Sequence, residues 1–312
     1  MVKTTILNNG VEMPLFGLGT WQSHNNDAAK AVEYALKKGY KHIDTATIYG
    51  NEDQVGEGIR KSNVKREDIF VTTKLWNSMH KAEDVPVGLE KSLQKLGLDY
   101  VDLYLMHYPA ASDKETFEKG ETIFSDIDYL ETWAAMEKLL ETGKVRSIGI
   151  SNFCNSELER LLANCKVKPL VHQLEMHPYL KQDEFLKIHT DNNIHVTAYS
   201  PFGNQNECYL LENEPKCLEH PIVMEISKKI SKTPAQILIA WGLKRNTSVL
   251  AKSVTPSRIE ENLIGDELEL EDEDFKALSN LGYSIRYSDF GPHAGYQYYR
   301  DLECPGKVPT PK

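Results

Sequence analysis

The 312-residue chain has little that would carry it to a membrane or a polyanion. No apolar run is long enough to span a bilayer, and Met1 to Gly10 holds no hydrophobic stretch of signal-peptide length. Basic residues are in deficit. The 36 Lys and Arg against 46 Asp and Glu give a formal charge of −10, which opposes nucleic acid and anionic lipid. The five cysteines, Cys154, Cys165, Cys208, Cys217 and Cys304, are odd in number and never spaced as C-x-x-C. That pattern argues against a disulfide framework or structural zinc and leaves reduced thiols. Neither G-x-x-x-x-G-K-[ST] nor H-E-x-x-H occurs, and GLGTWQ (17–22) lacks the third glycine of the open-sheet dinucleotide fingerprint. Residues 1–312 are therefore expected to form one cytoplasmic domain, a monomer or weak dimer, with no metal, nucleic acid or membrane as partner.

What the chain does have is a repeat. Asp27–Lys38 places apolar residues at helical spacing between an Asn26 or Asp27 cap and a Gly39 stop. The same reading predicts helices near Asp53–Lys61 and over Asp84–Leu96, Ile127–Glu141, Ser156–Ala163 and Gln182–Asp191. Two more follow: Pro221–Lys244, broken near Thr233-Pro234, and Pro256–Leu263. Strands are predicted at Leu15–Leu18, Tyr40–Asp44, Ile69–Lys74, Val101–His107, Val145–Ser151, Leu170–Glu175, His195–Ser200 and Val249–Lys252. Eight strands alternating with helices, each pair spaced as a crossover between parallel strands, predict an α/β protein with a closed (β/α)8 TIM barrel. Residues 3–13 read as a hairpin around Asn9-Gly10 that closes the barrel floor. Residues 203–219 and the tyrosine-rich 282–312 read as long irregular loops, and Glu267–Asp274 as a solvated helix start.

A barrel of this kind carries its chemistry where the strands end. Asp44 falls after the second strand with Tyr49 five residues on, Lys74 after the third and His107 after the fourth. Each alone has a plain reading: a loop salt bridge, a half-buried aromatic, a solvated terminus, a core imidazole. On adjacent strands at one face they fit a common task. A phenol is a poor acid at neutral pH, but an ammonium nearby favours its ionised form, so Lys74 is expected to lower the pKa of Tyr49. Asp44 would hold Lys74 charged and oriented, and His107 would hydrogen-bond a substrate oxygen or relay its proton. The set places a proton donor beside a carbonyl.

Along nearly all its length the chain resembles an aldo-keto reductase. The motifs are GLGTW (17–21), HIDTATIY (42–49), TKLW (73–76), DYVDLYLMH (99–107), GISNF (149–153), QLEMHP (173–178), AYSPFG (198–203) and AKSVTPSR (251–258) with Asn262. The resemblance implies reduction of aldehydes and ketones with NADPH, reversible with NADP+, the four residues acting as a tetrad with Tyr49 as proton donor. It implies that Ser151, Asn152 and Gln173 hydrogen-bond the nicotinamide carboxamide while Tyr199 stacks on its ring. Thr20, Trp21, Ser200, Pro201 and Phe202 would line the cofactor's course. Lys252, Ser253 and Arg258 would clamp the 2′-phosphate, and Arg258 with Asn262 would contact adenine. Trp21, Trp76 and Tyr108 would wall the substrate pocket. Where the family commonly has H-W-P this chain has His107-Tyr108-Pro109. The segments 74–80 and 252–258 and the tail look most like fungal members acting on glycerol, glyceraldehyde or other short polyol aldehydes. Two other readings are an NADPH-binding sensor or accessory subunit, and an unrelated barrel lyase or isomerase that needs no nicotinamide.

Overall fold

In the computed structural model, residues 2–205, 214–288 and 296–302 are described. Eight parallel strands close on themselves: β3 (Phe16–Gly19), β4 (His42–Asp44), β5 (Phe70–Leu75), β6 (Val101–Met106), β7 (Val145–Ser151), β8 (Val171–Glu175), β9 (His195–Tyr199) and β10 (Ser248–Lys252), with β10 pairing back to β3. The crossovers use α1 (Asp27–Lys38), α2 (Glu52–Ser62), α3 (Asp84–Leu96), α5 (Tyr129–Leu139), α6 (Asn155–Asn164), α7 (Asp183–Asp191), α8 (Pro221–Ile230) and α9 (Pro234–Lys244). The chain then continues through α10 (Pro256–Glu267). The (β/α)8 barrel is the expected one. Strands β5 and β6 are buried at every position, as strands covered on both faces must be.

The floor is closed as the hairpin signal predicts. Strand β1 (Thr4–Ile6) pairs antiparallel with β2 (Glu12–Pro14) around Gly10, which takes φ +85. Leu7 and Met13 pack against Phe70, Leu103, Leu105, Leu170 and Val171 at the bottom of the strands. This fixes the closed end and leaves the opposite mouth for chemistry.

Several boundaries differ from the sequence reading. Asn26 precedes α1 with left-handed backbone (φ 68), and its side chain makes no cap bond. The break before α9 is a capping box: Thr233 Oγ1 accepts from Gln236 N at 3.4 Å and Thr233 N donates to Gln236 Oε1 at 3.0 Å. Helix α10 runs past Leu263 to Glu267, and Gly265 within it lies close against α9, where a Cβ would lie 3.1 Å from Ile239 Cβ. The acidic run divides, its second half forming the first turn of α11 (Asp272–Leu278), where carboxylates suit the helix N-terminus. A five-residue helix, α4 (Lys114–Glu118), capped by Asp113, lies in the loop after β6 and was not predicted. Cys208 and Cys304 lie outside the described residues. Cys154, Cys165 and Cys217 are free thiols, with burial pushing Cys154 up to about 12. Among the described residues no helix is long and apolar enough to cross a membrane.

Helix α2 touches α3 through Gly56, where a Cβ would fall 2.0 Å from Leu96 O. Gly56→Ala should therefore destabilise the fold by about 1–3 kcal/mol, because backbone overlap outweighs the roughly 1 kcal/mol gain in helix propensity. Thermal unfolding checks this; an unchanged or raised midpoint contradicts it.

Candidate active site

The mouth of the barrel is organised by one buried cation. Lys74 lies inside β5 rather than past its end, so its side chain enters the barrel interior and is 0% exposed. Asp44, the last residue of β4, pairs with Thr72, two residues before Lys74 in the neighbouring strand. That register brings Lys74 Nζ to Asp44 Oδ1 at 2.6 Å. The remaining donors go to Thr45 O at 2.9 Å and Tyr49 OH at 3.4 Å, so all three ammonium hydrogens are placed. Tyr49 stands on the 3-10 turn Thr47–Tyr49, which is tied to β5 by Thr47 Oγ1 donating to Lys74 O at 2.9 Å. Gln173 Nε2 donates to Asp44 Oδ2 at 2.8 Å, satisfying the other carboxylate oxygen.

Burial acts on these groups in opposite senses. It works against the Lys74 charge, but Asp44 and Tyr49 outweigh it and hold the ammonium above the ordinary lysine value. For Tyr49 burial raises the pKa and prevails over the opposing Lys74 charge. The expectation that Lys74 would bring the phenol below its ordinary value is corrected on this point: desolvation of the phenolate is the larger effect. His107, just past β6, is held well below the usual imidazole range by burial and then by Lys74. At neutral pH the site thus presents a protonated phenol, an ammonium and a neutral imidazole. The His107 ring meets Tyr49 edge-on at 5.9 Å and Trp76 edge-on at 5.3 Å, and stacks on Tyr108 at 5.1 Å. Its Nδ1 has no protein partner among the described residues.

A cleft of about 980 Å³, at the upper end of ligand-site volumes, opens above these groups. Of the residues singled out in the sequence, Asp44, Tyr49, His107, Thr20, Trp21, Trp76, Tyr108, Ser151, Asn152, Gln173, Tyr199, Ser200, Pro201, Phe202 and Lys252 line it. Lys74 sits behind Tyr49. Ser253, Arg258 and Asn262 are not in the cleft wall but at the start of α10 and along it: Ser253 and Asn262 are buried and Arg258 is exposed. The Thr255 that precedes α10 makes no side-chain cap bond, so this helix N-terminus keeps backbone N–H groups for an anion beside Lys252, Ser253 and Arg258. The cleft wall also includes Phe124, Tyr287, Ser288 and Tyr298, which the sequence reading did not assign. Tyr287, Ser288 and Tyr298 belong to the tail from Ile285 onward, whose length is enough to fold over the barrel mouth and shape the pocket beside Tyr108; Phe124 had no such signal. Among the described residues no group of His, Cys, Asp or Glu side chains is placed to hold a metal ion.

The Aldo/keto reductase family model matches residues 15–282. An uncharacterized oxidoreductase of Schizosaccharomyces pombe is 51% identical over 289 residues, covering 90% of this chain and 88% of that protein. A second one from the same organism is 48% identical over 290 residues, covering 90% and 89%. Aldo-keto reductase family 1 member A1 of Homo sapiens is 41% identical over 292 residues, covering 90% of each chain.

Because Asp44 and Lys74 are buried as a pair, removing one partner should cost far more than removing both. Lys74→Met is expected to lose about 3–5 kcal/mol of stability at pH 7, and Asp44→Asn combined with Lys74→Met to recover part of it. Urea unfolding tests this; wild-type stability in Lys74→Met would contradict the pairing.

Proposed function

From its membership of the aldo/keto reductase family, to which the chain belongs, we propose that it reduces aldehydes and ketones to alcohols with NADPH, Tyr49 delivering the proton. The carrying observation is the Tyr49 hydroxyl held by Lys74 beside a neutral His107 at the base of the cleft. When bound, the cofactor supplies a hydride to the carbonyl carbon. The carbonyl oxygen then takes the proton of Tyr49, and Lys74 stabilises the phenolate left behind. Asp44 keeps Lys74 charged and aimed, while neutral His107 orients the oxygen by hydrogen bonding. The desolvated Lys74 ammonium placed against the Tyr49 phenol favours turnover over a sensor or accessory subunit.

Ser151, Asn152, Gln173 and Tyr199 would hold the nicotinamide end, Tyr199 offering its face. Lys252, Ser253 and Arg258 with the open start of α10 would hold the 2′-phosphate, which favours NADPH over NADH. Lys252 Nζ donates to Gln22 O at 3.3 Å and stands at the cleft's edge, within reach of an entering phosphate. Trp21, Trp76 and Tyr108 give the substrate end apolar walls, with the Tyr108 hydroxyl as a polar point. Among the described lining residues Lys252 is the one lysine or arginine. That supports a small uncharged carbonyl, and we assign short hydroxylated aldehydes such as glyceraldehyde, with oxidation of glycerol-type polyols as the reverse reaction.

Tyr49→Phe keeps the ring and removes the proton donor. It should bind NADPH as wild type does and lose roughly 10²- to 10⁴-fold or more in carbonyl reduction; near wild-type turnover by the folded variant contradicts the assignment. Lys252→Ala and Arg258→Ala should each weaken NADPH selectively, leaving NADH little changed. Paired Kd measurements on wild type and both variants check this, and equal wild-type affinities for the two cofactors refute the clamp.

A further inference from the structure

The C-terminal tail reaches the nicotinamide end of the cleft through a single amide. Tyr299, 1% exposed, donates its hydroxyl to Asn152 Oδ1 at 3.0 Å, and Tyr199 donates to the same oxygen at 2.8 Å. Asn152 Nδ2 donates to His107 O at 2.9 Å and to Ser151 Oγ at 3.0 Å. The amide oxygen and both hydrogens have protein partners, which fixes the orientation of the group, and the Nδ2 hydrogen shared with Ser151 Oγ, whose own hydroxyl donates to Gln173 O, is the one a nicotinamide carboxamide would take over. Turned over, its oxygen would face the His107 carbonyl. The two tyrosine hydroxyls converge from opposite origins, one on the end of β9 and one on the tail.

The tail is itself held from within. The Arg286 guanidinium lies 4.0 Å from the Tyr299 ring centroid, 1% exposed, and donates to Gln182 Oε1 at 3.1 Å. The buried Glu175 carboxylate accepts from the N–H groups of Tyr287 and Ser288, each at 2.8 Å, and lies 2.9 Å from His177 Nε2. Beyond Tyr299, Asp301 accepts from Asn155 N at 2.9 Å and Ser156 N at 2.7 Å in the first turn of α6. Tyr299 is therefore presented to Asn152 by a segment anchored on both sides of it.

We propose that Tyr299 is a positioning residue for the nicotinamide end of the cofactor: acting through Asn152 and Tyr199, it makes cofactor affinity depend on the seating of the tail. This rests on the reading of Ser151, Asn152 and Tyr199 as nicotinamide contacts. Tyr299 does not line the cleft, whereas Asn152 and Tyr199 do. Its influence passes through the shared oxygen, which it helps hold in place while Tyr199 presents its ring. Coupling of this kind is reciprocal, so the cofactor must steady the tail by the factor by which the tail favours the cofactor.

Tyr299→Phe keeps the ring under Arg286 and deletes the hydroxyl. Its NADPH Kd, read from tryptophan fluorescence, should rise roughly two- to tenfold, the worth of one neutral hydrogen bond. The KM for the carbonyl substrate at saturating NADPH should stay near the wild-type value. In the wild type, NADPH should slow amide hydrogen exchange of residues 296–302, and that protection should shrink in Tyr299→Phe. An unchanged Kd in Tyr299→Phe alongside a weakened Tyr199→Phe overturns the proposal. A raised substrate KM with unchanged Kd also overturns it, since Tyr299 would then serve only the pocket wall. So does a wild-type tail whose exchange ignores NADPH. Failure of the wild type to bind NADPH at all would instead remove the functional reading beneath it.

Discussion

The site depends on keeping an ammonium charged inside a protein barrel. Desolvating Lys74 is unfavourable, and an isolated lysine at 0% exposure would give up its proton. The fold compensates with the Asp44 carboxylate at 2.6 Å, the Thr45 carbonyl and the Tyr49 hydroxyl, while Gln173 occupies the second Asp44 oxygen. These partners come from β4, the turn after it and β8, on different sides of the barrel. They can be held at such distances only because closed parallel strands have little freedom to shift register. The plugged floor, with Leu7 and Met13 under the strands, contributes to that rigidity from the far end.

From this pair follows the division of labour at the cleft. The same burial that opposes the Lys74 charge keeps Tyr49 protonated, and burial together with Lys74 keeps His107 neutral. Two groups that could each serve as an acid are therefore separated. The phenol has a proton to give, and the imidazole has lost its charged form. The Asn152 amide extends the arrangement outward, joining the His107 carbonyl and Ser151 to Tyr199 and the tail.

Much of the fold could be read in the chain because period carries it. The helices Asp27–Lys38 and Asp84–Leu96 and the strand Val145–Ser151 have the bounds expected of them. Asp44, Tyr49 and His107 come together as their places at strand ends suggested, with Lys74 one step further inside the strand. What escaped the sequence depends on distant partners. The close approach of Gly265 in α10 to Ile239 in α9 joins residues far apart in the chain, and no local pattern reports it. The sign of the Tyr49 shift follows from the balance between burial and a neighbouring charge, and composition gives no measure of burial. Glu175 lies in a motif that was noticed, but its task of holding Tyr287 and Ser288 requires knowing where the chain returns more than a hundred residues later.

The identity of the proton donor is tested most directly by the pH dependence of a single turnover of carbonyl reduction with saturating NADPH, using a substrate for which hydride transfer limits the rate. Tyr49 has its pKa raised, so the protonated donor persists through neutrality; the rate should stay level from about pH 6 to 8 and fall only at high pH, as one proton is lost. A donor whose pKa is depressed would already be spent at neutral pH. A rate that falls steadily as pH rises from about 5 to 7 would make His107 the acid and contradict the account.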